Sequence, residues 1–211
     1  MTWTPLDLPG GITGRARGPA DGPVVVVHDG EAYATEAQLP AWLDAAGLPP
    51  HRLVLLDATD RLEQYSANPA YARTLASSFG RPVVGIGASL GALALLHAEA
   101  RHPGTFAGLF LQSGSFFRPE HDRQESGFRR WLRIVRFTGR ISRGKTGLGV
   151  PIALTCGTVE ENLANNRDMA HALAAGGCPV TLAEVPGGHD WPSWRAAFDP
   201  HLTALLRTVL T

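Results

Sequence analysis

The chain predicts an α/β fold: a mostly parallel central sheet with helices on its faces. Three observations carry that expectation. Six short runs are almost wholly aliphatic, at residues 24–27, 53–56, 82–86, 106–111, 152–155 and 180–185. Helix-patterned segments lie between most of them, and a glycine-flanked serine stands at one strand-to-helix junction. Strands buried on both faces read as continuous apolar runs, and their alternation with helices gives parallel pairing.

The first run, Val24-Val25-Val26-Val27, is β-branched throughout. Such side chains fit a pleated surface and lose rotamer freedom in a helix. Residues 53–56 and 82–86 are likewise short runs of mostly aliphatic residues. A helix is expected over 71–79 and another over 90–101, the latter stopped by Pro103-Gly104. A third is expected over 165–175, stopped by Gly176-Gly177, and a last over 194–210, broken near Pro200.

The 211 residues suffice for one α/β domain with a sizeable core and are short for two. Hydrophobic residues make up 44% and charged residues 18%, a globular composition. Nineteen basic residues match nineteen acidic ones, without the basic excess of a nucleic-acid binder. Cys156 and Cys178 form no C-x-x-C pair and are expected as reduced thiols. The start, Met1-Thr2-Trp3-Thr4-Pro5, has neither the basic nor the apolar part of a secretory signal, and no apolar run approaches a membrane span. A cytoplasmic protein without membrane or nucleic-acid partners is expected; nothing indicates an oligomeric state.

One stretch differs in character. Residues 116–150 hold nine basic and three acidic side chains, so the segment carries about +6 and the rest about −6. It is long for a connection between two strands and is expected as an excursion over one face. Two roles stay open for it: a wall or lid whose arginines attract an anionic substrate, or an arginine-rich solvated helix.

The strongest chemical signal is Gly87-Ala88-Ser89-Leu90-Gly91. A G-x-S-x-G turn between strand and helix lifts the serine hydroxyl above the sheet, because side chains at the glycine positions would collide with the tight turn. Ser89 is therefore the expected nucleophile, and the Leu90 backbone N–H the first oxyanion donor. A serine hydroxyl needs a base. His189, in Pro186-Gly187-Gly188-His189-Asp190-Trp191, follows the last strand on a glycine-rich loop, whereas His171 and His201 lie in helical patterns. The acid belongs after the run 152–155, where Glu160 and Glu161 are both candidates. Asp190 adjoins His189 too closely in sequence to reach the far nitrogen of its ring.

These residues resemble the esterase D and enterochelin-esterase group of α/β-hydrolases, in order along most of the chain. The matching segments are His28-Asp29-Gly30-Glu31-x-Tyr33; Asp57 with Arg61, Tyr65 and Asn68; the elbow; Gln112-Ser113-Gly114-Ser115; Gly157-Thr158-Val159-Glu160 with Asn166-Arg167; and Gly187-Gly188-His189-Asp190-Trp191-x-x-Trp194-Arg195. The last is the most specific. The resemblance implies an α/β-hydrolase fold and a Ser89–Glu160–His189 triad. It implies the Glu31 backbone N–H as second oxyanion donor and a small-molecule ester as substrate. Gln64 stands where enterochelin esterases often carry a glutamate that would pair with Arg61. Tyr33, Trp191 and Trp194 are the expected pocket residues, although the two tryptophans equally suit packing of the histidine loop on the last helix.

The implied chemistry is two-step acyl transfer without metal or organic cofactor. Water as acceptor gives an esterase; an alcohol acceptor gives an acyltransferase, and loss of activity leaves a binding protein. Two other motifs fail on context. Gly85-x-Gly87 lacks the acidic residue of a dinucleotide loop. Gly139-Arg140-Ile141-Ser142-Arg143-Gly144-Lys145-Thr146 satisfies a phosphate-loop pattern, yet Gly147, Gly149 and Pro151 follow, where a helix would have to begin.

Overall fold

The computed structural model describes residues 2–144 and 147–210. One eight-stranded sheet runs in the order β1-β2-β4-β3-β5-β6-β7-β8. Strands β3 (Val24–His28), β4 (Arg52–Ala58), β5 (Val83–Ala88), β6 (Phe106–Gln112), β7 (Ile152–Gly157) and β8 (Val180–Val185) are parallel, each extending an expected run by a residue or more except the last, which matches it. β3, β5 and β7 are buried along their whole length, as continuous apolar strands require.

Alternation along each strand divides the core into two layers. Val24, Val26, Leu109 and Leu111 face α4 (Pro69–Ser77), α5 (Leu90–Arg101), α6 (Trp131–Ser142) and α7 (Leu163–Ala175). Val25, Val27, Phe110 and Ala153 face α1 (Gly30–Thr35), α2 (Leu39–Ala45), α8 (Trp191–Ala196) and α9 (Thr203–Val209). Each fully buried Val, Leu or Phe contributes about 1.5–3 kcal/mol relative to exposure. Asn68 caps α4 by accepting from the Ala70 and Tyr71 amides, ahead of Pro69 at the first helical position. The expected break in the last helix falls at Asp199-Pro200, between α8 and α9.

Two strands stand beyond the expected six. β1 (Thr4–Leu8) and β2 (Ile12–Arg17) form an antiparallel hairpin across Pro9-Gly10-Gly11, and β2 pairs antiparallel with β4. Their charged and half-exposed side chains lack the continuous apolar signature, because β1 lies at the sheet edge and both strands leave much of their surface to solvent. Gly10 and Gly11 take φ of 81° and 72°, conformations that only glycine adopts cheaply.

The basic stretch is largely a packed element. Phe116, Phe117, Leu148 and Val150 are buried, and α6 buries Trp131, Ile134, Phe137 and Ile141 at helical spacing, in contact with α7. Its arginines point outward or pair with acids of the body: Arg118 with Asp168, Arg129 with Asp60, and both Arg130 and Arg133 with Glu63. Residues 139–142 of the phosphate-loop pattern are the last turn of α6, while its Lys145 and Thr146 lie outside the described residues. No helix among the described residues is long and apolar enough to cross a membrane.

Candidate active site

Six parallel strands end at one rim of the sheet, and the candidate site residues lie at those ends: Asp29 after β3, Asp57 next to last in β4, Ser89 after β5, Ser113 after β6, Glu160 after β7 and His189 after β8. That is where open α/β sheets place ligands.

Ser89 sits at φ 55°, ψ −122°, outside the ordinary regions for a side-chain-bearing residue. Neighbours hold it there: its N–H donates to Gln112 O at 2.9 Å, and its carbonyl accepts from Ser115 N at 3.2 Å. A Cβ on Gly87 would meet the Gly91 carbonyl carbon at 2.8 Å, and one on Gly91 would press on His28 Cβ at 3.2 Å. Leu90 opens α5, so its N–H has no acceptor within the helix. The hydroxyl of Ser89 takes Ser115 Oγ as its partner at 3.0 Å.

The expected base and acid are in contact. His189 Nδ1 lies 2.7 Å from Glu160 Oε2. The Glu160 side chain is only 1% exposed, whereas Glu161 is exposed at the surface. Ser113 Oγ donates to Glu160 Oε1 at 2.6 Å, the Gly157 amide donates to the same oxygen, and Trp194 Nε1 donates to Ser113 Oγ at 2.9 Å. Burial pushes the Glu160 carboxyl up, but the bonds from His189, Ser113 and Gly157 outweigh it and hold the group below its ordinary value. Glycine is required at 157 because a Cβ there would lie 2.4 Å from Gly187 O. Asp190 turns away and caps α8, accepting from Ser193 N at 2.9 Å.

Ser89, His189, Trp191 and Trp194 line one cavity of about 610 Å³, together with Asp29, Glu31, Asp57 and Arg61. Trp194 also meets the His189 ring edge-to-face at 5.0 Å. Two expectations need correction. Tyr33 does not line the cavity: it is wholly buried behind Trp191, with its hydroxyl donating to Gln112 Oε1 at 2.9 Å, because α1 turns its buried face to the sheet. The Glu31 N–H is not a free donor either; it donates to Asp57 Oδ1 at 3.2 Å. Burial, partly offset by that bond, raises the Asp57 carboxyl above its ordinary value. None of the described residues of 116–150 lines the cavity; the excursion packs against α7 instead. Arg61 finds its acid in Asp29, through two parallel bonds of 2.8 Å, while Gln64 donates to Gly10 O.

Beneath the turn after β3, His28 is fully buried. Its Nδ1 bonds Gly91 O at 3.1 Å, its Nε2 bonds the Tyr71 hydroxyl at 2.8 Å, and it stacks on Tyr65. Burial lowers His28 to a pKa of about 4. Ser113, Ser115 and the Asp29–Arg61 pair lay inside segments quoted for the family resemblance, but only the assembled rim gives them partners.

Comparison with known proteins follows the same residues. A family model described as Putative esterase matches residues 69–205. The Iron(III) enterobactin esterase of Dickeya dadantii is 32% identical over 213 aligned residues, covering 87% of this chain and 47% of that protein. The chain belongs to this esterase family. It spans about half the length of that curated relative. Among solved structures, the enterochelin esterase of Shigella flexneri superposes with a TM-score of 0.79 at 20% identity, over 100% of this chain and 60% of that one. A ferulic acid esterase gives 0.71 at 16% identity, over 100% and 98%, and MPT51 of Mycobacterium tuberculosis 0.69 at 15%, over 99% of both. These structural likenesses establish the shared α/β-hydrolase fold.

Two outcomes follow from the packing around the elbow. Gly87→Ala should destabilise the protein by about 1–3 kcal/mol, read as a lower urea midpoint, since the added methyl meets backbone; an unchanged midpoint would show that the turn relaxes. Between pH 6.5 and about 4 the unfolded chain takes up protons that buried His28 and His97 refuse, so stability should fall as pH falls through that window. His28→Gln should flatten the slope by up to about 1.4 kcal/mol per pH unit in pH-resolved thermal unfolding.

Proposed function

We propose that this chain is a serine carboxylic-ester hydrolase that works through an acyl-serine intermediate. The observation that carries the reading is the Glu160–His189 pair, whose histidine lines one cavity with a serine held on a strained elbow. Ser89 turns its hydroxyl from Ser115 toward His189 Nε2 and attacks the ester carbonyl as His189 takes the proton. Glu160 keeps the Nδ1 proton on the ring and stabilises the imidazolium. The Leu90 N–H receives the oxyanion, a contribution often worth about 3 kcal/mol. The Glu31 N–H joins it once the carbonyl oxygen displaces Asp57. The tetrahedral adduct then collapses: the bond to the alcohol oxygen breaks, and that oxygen leaves with the proton from His189. Water, deprotonated by the same imidazole, attacks the acyl-serine and returns the proton to Ser89 through the same relay.

The cavity also supports a preference among esters. Asp29, Glu31 and Asp57 face it; Asp29 is paired with Arg61 and Glu31 with Arg15, each at 2.8 Å, which leaves Asp57 as the lining carboxylate without an ion-pair partner among the described residues. Neutral esters fit this lining; esters bearing several negative charges meet repulsion in a partly desolvated site.

Hydrolysis of 4-nitrophenyl acetate and butyrate tests the main reading. Ser89→Ala should abolish turnover and labelling by a fluorophosphonate probe, and Glu160→Gln should lower kcat by about 10²-fold or more, with Glu161→Gln close to wild type. Wild-type protein that hydrolyses no ester and takes no probe would sink the proposal; a loss confined to Glu161→Gln would overturn the acid assignment. For the charge preference, Asp57→Asn should raise kcat/KM for a hemisuccinate ester by about 3–10-fold relative to its neutral methyl analogue, with the difference shrinking in high salt. An unchanged ratio would remove Asp57 from substrate selection.

A further inference from the structure

A second cavity, of about 260 Å³, lies between α5 and α6. Its polar lining is His97, Arg101, Arg133, Arg136 and Arg140, and Phe137 supplies the largest apolar surface. His97 stands eight residues beyond Ser89 along the chain, about 12 Å along the helix axis, so this cavity is separate from the catalytic rim.

Its charge is uncompensated. Arg133, Arg136 and Arg140 share one face of α6 at spacings of three and four, where like charges weaken a helix. Arg133 is matched by Glu63, which also takes Arg130. Among the described residues, Arg101, Arg136 and Arg140 have no carboxylate partner. His97 is the second observation. It is 5% exposed, lines the cavity and meets Phe137 edge-to-face at 4.9 Å, yet neither ring nitrogen has a hydrogen-bond partner among the described residues. Those nitrogens are not sealed in the core, since the fully buried unpartnered side-chain atoms among the described residues are Ser66 Oγ and Asn165 Oδ1; they open onto the cavity, where a ligand or water can meet them. Burial, reinforced by Arg101, Arg133, His102 and Arg140, lowers its pKa to about 4, so at neutral pH the ring is neutral and has one N–H to give.

A single carboxylate is satisfied by one guanidinium fork; several guanidinium groups around one small cavity suit a compact group with more oxygens and more charge. We propose that this cavity binds the phosphoryl group of a phosphomonoester, with Arg101, Arg136 and Arg140 around its oxygens, the His97 N–H donating from the floor, and Phe137 against the organic part. The site is independent of ester hydrolysis, since none of these side chains borders Ser89.

Titration calorimetry with inorganic phosphate and with phenyl phosphate, at ionic strength fixed by sodium chloride, tests the proposal. Both should bind one per chain, phenyl phosphate the tighter. The double variant Arg136→Ala/Arg140→Ala should lose about tenfold or more in affinity while keeping wild-type thermal stability and ester turnover. His97→Gln, which can still donate, should retain more affinity than His97→Leu. Sedimentation with phosphatidylcholine vesicles, with and without phosphatidic acid, separates the sources: capture by phosphatidic acid that the double variant abolishes assigns a lipid headgroup, and binding of the soluble ester alone assigns a free metabolite. Equal heats for wild type and double variant, or stabilisation that follows ionic strength whatever the anion, would overturn it.

Discussion

The buried carboxylate of Glu160 constrains the whole rim. An ionised group removed from water costs several kcal/mol unless donors replace the solvent. Here they come from three strand ends: Ser113 after β6, the Gly157 amide closing β7, and His189 after β8. They meet at one carboxylate only because the strands are parallel and in register, Gln112 beside Thr155 and Gly157 beside Val185. A slip of one residue in β7 would turn its core side chains to the opposite face and leave Glu160 unpaired. Cys156, beside this carboxylate, is held as a thiol because burial disfavours its thiolate.

The candidate nucleophile is fixed by the same neighbours. Ser115 and Gln112, from the loop and strand that also carry Ser113, hold the backbone of Ser89 in its strained turn. Trp194 reaches Ser113 from α8, and the Gln112 side chain donates to the Trp194 carbonyl at 2.8 Å while accepting from Tyr33. The elbow, Glu160 and His189 therefore share one polar network, in which each satisfied buried member lowers the cost of burying the next. Tyr33 belongs to this support although it never meets the cavity.

Charge is distributed as deliberately as shape. The acidic side chains of the body that face the basic stretch, Asp60, Glu63 and Asp168, anchor it at three places. At the cavity, Arg61 is locked to Asp29 and Arg15 to Glu31. A zero net charge thus covers a stretch of about +6 and a remainder of about −6, joined by ion pairs.

The sequence by itself determined the parallel sheet, the elbow and the candidate nucleophile and base. Those features are local: aliphatic runs of strand length, glycines that a tight turn demands, and a histidine on a glycine-rich loop past the last strand. It left Glu160 and Glu161 both open from position alone, since adjacent residues differ only in which way the folded loop turns them; the tertiary structure buries one and exposes the other. The β1–β2 hairpin escaped because a half-exposed edge lacks a continuous apolar signature. Tyr33 moved from pocket to core, and the Glu31 amide from free donor to partner of Asp57, for one reason. Whether a side chain or an amide faces a cavity depends on groups far away in the chain, here Gln112 and Asp57, which only the closed sheet brings alongside.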